Sequence, residues 1–541
     1  MHTRREPGSI ALSELRTKCH EVPGRQHGLH KHLILSSVFM AVFASGTALA
    51  ACHQGGPTGR YEGTVISAQA GTLDVILNLR CAQGAYAGIV LSPVGTFKIR
   101  DGSFCSGKLQ IAFDAGNGTG TIDLNSGNGL LRGTFALADD HGPVTLARVG
   151  DAVANDDFTP TMAISRAHWR DDLAYFAREL PKRHANAFHR VTQPKFEAAV
   201  ARLAARIGRL NPDQTYVELD RLATMIGDAH TYVMFPPDHA NLPLEIARFG
   251  KDYRVTSAAP EYRATLGATV LAIGKTPVSE ACRRLIQITP RDETQSLREG
   301  RVESFLTIGM MLHGTGITGS RDKVSFLLQA DAGRPFRVSV TPLPVGAQVA
   351  WKHVYPAAPL YKQHEGESFW CAVPMAATVY CNFHGYDGLA DRAEKMFALI
   401  DQTKPDKLIV DMRDNPGGDF TEGLKYIIEP IAGDPRLNRR GHLFVLIDEG
   451  VFSAGMSNSA QFRTQTKALL VGQAIGERPN TYQEAREMML PNSHLRVRYS
   501  TKFYRFVAAG KNMIEPDVPI ATSWADYKAG RDPVLEWVLS H

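Results

Sequence analysis

The sequence predicts a multidomain α/β protein, α+β overall, and three observations support that fold class. A chain of 541 residues is too long for one hydrophobic core and is expected to form roughly three to four domains. Its composition, 44% hydrophobic and 21% charged, is that of an ordinary folded protein. From about residue 355 onward, apolar runs of strand length alternate with helical patterns, which favours a mostly parallel sheet with helices on its faces.

The charge pattern and the absence of standard motifs exclude several functions. The net charge is +5, from 60 basic and 55 acidic residues, and no basic run is interleaved with aromatic residues. Nucleic acid is therefore not expected as a partner. The chain also lacks an H-E-x-x-H motif, a P-loop and a convincing G-x-G-x-x-G motif. We expect neither a metal nor an organic cofactor.

Residues 1–52 resemble an export signal. The basic run His30-Lys31-His32 precedes an apolar stretch at residues 33–48, and small residues follow. That stretch is too short for a transmembrane helix and has the length of a signal-peptide core. The end of the segment also resembles a bacterial lipoprotein box, which would attach the protein to a membrane through a lipidated Cys52. The alternative is cleavage after Ala50 and release. Either way we expect an exported bacterial protein, which is periplasmic, an outer-membrane lipoprotein or secreted.

Export permits disulfide bonds. Two cysteine pairs are candidates, Cys81 with Cys105 and Cys371 with Cys381, while Cys282 is expected to be a buried free thiol. No CxxC motif supports a zinc framework.

The mature chain divides into four predicted segments. Residues 53–157 contain short apolar runs separated by Gly, Asn and Asp turns, which predict a small antiparallel barrel or sandwich, an accessory module of undefined ligand. Residues 158–238 carry helical periodicity, with Asn211-Pro212 as a helix start. Residues 239–347 return to mixed strands and helices, and residues 348–541 form the α/β core. No feature of the sequence sets the oligomeric state.

Residues 408–459 predict the reactive centre. A buried strand is followed by Gly417-Gly418 and a helix start, at which Asp419 and Glu422 have the spacing of a capping box. Backbone amides at such a turn stabilise developing negative charge. On the equivalent turn after the next strand lies Ser453, a candidate nucleophile. The alternative is a structural serine at a helix N-terminus, and no G-x-S-x-G motif surrounds it.

Together, five motifs resemble the tail-specific (C-terminal processing) serine protease family, which includes the tricorn protease core and the interphotoreceptor retinoid-binding protein modules. The resemblance covers roughly residues 165–541. It implies a ClpP/crotonase-like α/β protease core at residues 348–541, a PDZ-like domain at residues 239–347, and a peptide or protein substrate. The motifs are Gly227-Asp228-Ala229-His230-Thr231, Asp411-Met412-Arg413-Asp414-Asn415-Pro416-Gly417-Gly418, Phe452-Ser453-Ala454, Leu470-Val471-Gly472 and Glu515-Pro516-Asp517.

By this resemblance Ser453 is the nucleophile, and the amides of Gly417 and Ala454 form the oxyanion hole. Where the tail-specific branch carries its lysine base, this chain has Arg478, and a guanidinium group stays protonated and cannot act as a base. The tricorn branch uses a histidine at a comparable helix end, which implies that His230 is the base.

Several alternatives stay open at this stage. His230 would also serve as a cation at a helix C-terminus, and Lys467 and Lys502 are other candidate bases. Asp228 is expected to orient the loop that carries His230. Glu484 and Glu487 are candidates for a supporting carboxylate, although a solvated loop carboxylate is the better description of each. Arg478 also supports a second function, a catalytically inactive family member that binds peptides or apolar ligands.

Overall fold

The computed structural model describes residues 56–541 except 83, 116, 117 and 365. The predicted export signal, with Cys52, lies outside these residues. The chain forms two compact units, one ending at Phe158 and one spanning Thr159–His541. No helix of the described part is both long and apolar enough to cross a membrane. The finer domain boundaries predicted above stay predictions.

The first unit is a closed antiparallel barrel of eight strands, each paired with its neighbours in the chain. Strand β1 pairs with β8 and closes the barrel. Its interior holds the fully buried side chains of Leu77, Leu79, Leu109 and Leu124. Of the two architectures predicted for this segment, barrel or sandwich, the structure has the barrel. The strands are β1 (Gly59–Ser67), β2 (Gly71–Ala82), β3 (Ala85–Ser92), β4 (Gly95–Cys105), β5 (Lys108–Asp114), β6 (Thr119–Gly127), β7 (Leu130–Leu137) and β8 (Asp140–Gly150).

The second unit begins with helices that lead to the first site residue. They are α1 (Arg166–Arg183), α2 (Gln193–Arg206) and α3 (Pro212–Thr224), followed by the short strand β9 (Tyr232–Val233). Asn211 forms the predicted start of α3, with a complete capping box. The sequence predicts that α3 stops at Gly227; it ends at Thr224. Gly227 then has a φ of +124°, which favours glycine and turns the chain toward His230.

A seven-stranded antiparallel sheet follows. Its order is β10-β11-β12-β14-β15, with β13 added to β12 and β16 added to β11. This is the segment predicted to be PDZ-like, and that finer assignment stays a prediction. Its elements are β10 (Leu244–Phe249), β11 (Asp252–Ala258), β12 (Thr269–Ile273), β13 (Thr276–Pro277), α4 (Val278–Leu285), α5 (Gln295–Phe305), α6 (Gly309–Gly314), β14 (Val324–Gln329), β15 (Phe336–Val340) and β16 (Lys352–His353).

The C-terminal part contains a six-stranded sheet of order β17-β18-β19-β20-β21-β24, parallel except at β17. Strands β19 and β20 are almost fully buried, as expected where helices cover both faces. The elements are β17 (Phe369–Met375), β18 (Thr378–Phe383), α7 (Leu389–Thr403), β19 (Lys407–Asp411), α8 (Phe420–Gly423), α9 (Glu429–Gly433), β20 (Leu443–Ile447), α10 (Ala454–Gln465), β21 (Leu469–Gly472), β22 (Asn480–Met489), β23 (Arg496–Arg505), β24 (Val518–Pro519), α11 (Trp524–Ala529) and α12 (Pro533–Ser540).

A disulfide bond joins Cys371 to Cys381, two directly opposed residues of β17 and β18. Cys282 is a free thiol and is partly buried. The predicted pairing of Cys81 with Cys105 stays a prediction.

A three-stranded sheet connects the two parts of the second unit. The hairpin formed by β22 and β23 pairs with β9, so that Val497 faces Val233 and Arg498 faces Tyr232. Strand β9 is held from its other side, because the Tyr216 hydroxyl donates a 2.8 Å hydrogen bond to the Val233 carbonyl. This pairing brings the loop that carries His230 against the C-terminal sheet.

Arg413 forms a buried ion cluster with two carboxylates at the end of β19. Its guanidinium lies 2.6 Å from Asp411 and 2.7 Å from Asp532. We expect Arg413→Ala to lower the free energy of unfolding of this unit by about 3–5 kcal/mol, because two buried carboxylates lose their cation. Urea unfolding, monitored by circular dichroism, measures the change in the free energy of unfolding. Arg440→Ala, which removes a 65% exposed arginine, is the control, with a loss under about 0.5 kcal/mol. A similar loss in both variants would contradict the expectation.

Candidate active site

His230 and Ser453 meet at the edge of the parallel sheet. His230 follows α3 on a loop, and Ser453 lies between β20 and α10. The two residues are 223 positions apart in sequence, yet His230 Nε2 lies 3.1 Å from Ser453 Oγ. This is hydrogen-bond distance, the geometry that a hydroxyl nucleophile and its base require.

Ser453 occupies a strained turn. Its φ is 55° and its ψ is −121°, a conformation that costs a non-glycine residue on the order of 1–3 kcal/mol. Asn415 helps to hold the turn, since its carbonyl accepts a 2.9 Å hydrogen bond from the Phe452 amide. The Asn415 side chain is itself fixed by a 2.6 Å hydrogen bond to the Phe383 carbonyl. The strained turn directs the Ser453 hydroxyl toward His230.

Gly417 packs directly against that turn. A Cβ atom on Gly417 would lie 2.5 Å from Ser453 Cβ and 3.0 Å from the Ala454 nitrogen, and its φ is +101°. The Gly417 amide donates to Asn415 Oδ1 at 2.9 Å. The amides of Gly418 and Ala454 have no acceptor within the described part of the chain. The backbone of Gly417 therefore lies directly beside Ser453 and the Ala454 amide.

The close approach of Gly417 makes a side chain there costly. We expect Gly417→Ala to lower kcat by about 100-fold, because the added methyl group displaces Ser453 and its turn. Steady-state hydrolysis of a peptide substrate measures the loss. Gly433→Ala is the control, since its Cβ would meet nothing within 4 Å. Unchanged activity in Gly417→Ala would contradict this description of the turn.

His230 is buried against Phe452, whose ring stacks on it at 4.7 Å. Burial, with the charges of Arg498 and Arg301 and against the opposing charge of Asp228, lowers the pKa of His230 to about 4. The imidazole is consequently neutral at physiological pH, and Nε2 is free to accept a proton from Ser453 Oγ.

Asp228 fixes the loop that carries His230. Its carboxylate accepts hydrogen bonds from the His230 amide at 3.2 Å, the Thr231 hydroxyl at 2.9 Å and the Ser500 hydroxyl at 2.6 Å. His184 Nε2 lies 2.9 Å from its second oxygen. Despite burial, the hydrogen bonds and charges of these neighbours keep the pKa of Asp228 below its usual value. Asp228 therefore contacts the backbone of His230 and positions the loop.

The carboxyl group that faces the His230 ring belongs to Glu477. It is fully buried, 3.5 Å from His230 Nδ1, and it accepts a hydrogen bond from the Ser453 amide. Gln483 donates to it at 3.4 Å. Burial and the neighbouring Glu293 carboxyl raise the pKa of Glu477 well above its usual value, which favours its protonated form.

Sequence reasoning missed Glu477 as a site residue. The one signal that pointed to it was its position immediately before Arg478, in the loop where the resembling family has its lysine. The pattern around it gave no indication that this carboxyl is buried.

Arg478 contacts neither Ser453 nor His230. Its guanidinium donates to Asn512 Oδ1 at 3.2 Å and lies 3.6 Å from Asp292. Its backbone amide donates to the buried Glu293 carboxyl at 3.0 Å. Arg478 thus supports the loop through its backbone, next to Glu477.

The other sequence candidates do not meet the Ser453–His230 pair. Glu484 accepts a 2.5 Å hydrogen bond from the Tyr504 hydroxyl, and Glu487 pairs with Arg496 at 3.3 Å. Lys502 lies over the Tyr504 ring. Lys467 follows the far end of α10, whose first residue is Ala454.

No protein-family model matches the chain, and no curated protein matches it. Among solved structures it is similar to the photosystem II D1 C-terminal processing protease, with 15% identity, a TM-score of 0.34, and coverage of 65% of this chain and 93% of that one. It is also similar to mature CPAF, with 11% identity, a TM-score of 0.49, and coverage of 69% and 96%. For the tricorn protease the identity is 13%, the TM-score 0.34, and the coverage 83% and 47%. The reaction is therefore inferred from the geometry of the site.

Proposed function

We propose that the protein is a serine peptidase of the tail-specific protease type, which cleaves peptide bonds through an acyl-enzyme on Ser453. The observation that carries the proposal is the 3.1 Å contact between His230 Nε2 and Ser453 Oγ, which lies on a strained turn packed against Gly417. A serine hydroxyl is a weak nucleophile unless a neighbouring base accepts its proton.

In the first step Ser453 Oγ attacks the substrate carbonyl carbon while His230 Nε2 takes the hydroxyl proton. The low pKa of His230, about 4, keeps the imidazole in the accepting form above that pH. The same burial makes the protonated imidazole costly, so the proton passes readily to the leaving amine in the next step. Water then attacks the acyl-enzyme by the same route and releases the second product.

Negative charge on the carbonyl oxygen is stabilised by the amides of Ala454 and Gly417. The Ala454 amide has no other acceptor among the described residues. The Gly417 amide is bonded to Asn415 Oδ1 and would exchange that neutral acceptor for the developing oxyanion, which is the stronger acceptor. Glu477 is a positioning residue, because it holds the Ser453 amide and faces His230 Nδ1.

The substrate is a peptide or protein, and the protein acts after export from a bacterial cytoplasm. The Cys371–Cys381 disulfide supports an oxidising compartment. Attachment to a membrane through a lipidated Cys52 is part of the same proposal, as is a PDZ-like role for residues 239–347.

Covalent labelling tests the proposed nucleophile. A fluorophosphonate probe should label the wild-type protein at Ser453, and Ser453→Ala should abolish the label. Ser459→Ala is the matched control, since Ser459 lies on α10 with its hydroxyl bonded to the Gly455 carbonyl. Labelling of Ser453→Ala at full level would assign the nucleophile elsewhere.

A catalytically inactive peptide-binding or apolar-ligand-binding protein is the second candidate. It is favoured by the Gly417 amide, which already has an acceptor in Asn415, and by Arg478 where a lysine base is expected. A wild-type protein that neither reacts with the probe nor cleaves any peptide of a broad library would support this function.

A further inference from the structure

Two arginine side chains beside the Ser453–His230 pair have no carboxylate partner in the described part of the chain. Arg498, on β23, donates to the Tyr232 hydroxyl at 3.0 Å, and its guanidinium lies 5.8 Å from the centre of that ring. Arg301, on α5, lies 5.9 Å from the same ring and 5.3 Å from the Phe452 ring. The two cations thus share Tyr232 although they come from different elements.

Both arginines belong to the immediate surroundings of the reactive pair. Tyr232 lies two residues after His230, and Phe452 precedes Ser453 and stacks on the His230 ring at 4.7 Å. The charges of both arginines lower the pKa of His230, so their electrostatic field extends to the imidazole. An anion bound to these guanidinium groups would therefore lie close to the bond being cut.

Three carboxyl groups, one opposite Arg498 on the hairpin and two on α5 with Arg301, form ion pairs with other arginines. Glu487 faces Arg498 across the ladder, yet it pairs with Arg496 at 3.3 Å. On α5, Glu299 and Glu303 both pair with Arg248, at 3.0 Å and 3.5 Å.

The charge of Arg301 acts on two buried carboxyl groups, those of Asp220 and Glu477, and lowers the pKa of each. Burial raises the pKa of Asp220 to about 7 and that of Glu477 well above its usual value. Burial thus favours the neutral form of both carboxyl groups, and neither forms an ion pair with Arg301 in the described part of the chain.

We propose that Arg301 and Arg498 bind a carboxylate of the peptide substrate, so that the enzyme prefers bonds close to an acidic group. The inference rests on the proposed function and adds its substrate class. Partly buried guanidinium groups suit this role, because they are weakly hydrated and present several donors to a carboxylate. The rings of Tyr232 and Phe452 keep them oriented. The carboxylate comes either from an Asp or Glu side chain or from the C-terminus of the peptide.

The test uses the full-length protein and a proteome-derived peptide library read by mass spectrometry. Bonds cleaved by the wild-type protein should be enriched in Asp, Glu or a free C-terminus within a few residues of the cut. In the double variant Arg301→Gln/Arg498→Gln, kcat/KM for an acidic peptide should fall by about 10- to 100-fold more than kcat/KM for its Gln-substituted analogue. Amidating the C-terminus distinguishes the two carboxylate sources. Arg505→Gln, on the same hairpin, is the control.

A binding measurement separates failure of this inference from failure of the peptidase proposal. Ser453→Ala, which cannot form the acyl-enzyme, should retain acidic peptides from the same library, and the double arginine change should abolish that enrichment. If the wild-type protein cleaves nothing but Ser453→Ala still selects acidic peptides, the peptidase proposal fails and the carboxylate site stands. Equal handling of acidic and neutral peptides in both measurements overturns the site.

Discussion

Ser453→Ala is expected to lower kcat for peptide hydrolysis by about 10⁴- to 10⁶-fold, the largest effect of any single change in this protein. The hydroxyl is the only group of Ser453 that reaches His230, at 3.1 Å, and alanine leaves the imidazole without a nucleophile to activate. Steady-state kinetics on a peptide from the cleavage library measures the loss.

The Ser453→Ala protein should remain folded, because alanine keeps the Cβ atom that packs against Gly417. Its thermal unfolding should match that of the wild type, and Ser459→Ala should retain full activity. Residual hydrolysis within tenfold of wild type would show that another group attacks the carbonyl.

His230→Gln is expected to lower kcat by about 10³- to 10⁵-fold, since the amide side chain cannot take up the serine proton. The pH dependence gives a second readout. Burial lowers the pKa of His230 to about 4, and the unprotonated imidazole is the active form. Activity of the wild type should therefore stay constant as pH falls toward about 5 and be lost through about pH 4.

The control for this change is His442→Gln, which alters a half-buried histidine that is bonded to the Asp406 carbonyl. The His442→Gln variant should have the same kcat as the wild type and should lose activity over the same acidic pH range. An acid limb near the ordinary histidine pKa of about 6.5 would mean that His230 is solvated in the active protein. An unchanged rate in His230→Gln would assign the base elsewhere.

The sequence predicts the strands, turns and helix starts of this site well, because each depends on a short run of neighbouring residues. The buried strands before Gly417 and Ser453 follow from their continuous apolar runs. The start of α3 follows from Asn211-Pro212. Arg478 is excluded as a base by its side chain alone, and His230 then follows from the family resemblance rather than from spacing.

The tertiary parts of the site are beyond sequence reasoning. His230 reaches Ser453 because β9 pairs with β23, and nothing in residues 232–233 specifies a partner more than 260 positions away. Glu477 was missed because a single carboxyl in a loop gives no sign that it is buried. Arg301 and Arg498 lie on a helix and a strand, and only the fold brings both to Tyr232.

Detection of the acyl-enzyme itself tests the role of Ser453 as the nucleophile most directly. An activated ester such as a p-nitrophenyl acyl ester should give a burst of about one p-nitrophenol per chain, followed by slower turnover. Quenched samples should carry the acyl group on Ser453, as mapped by peptide mass spectrometry, and His230→Gln should form it far more slowly. An acyl group on another residue, or rapid hydrolysis with no adduct on Ser453, would contradict the account.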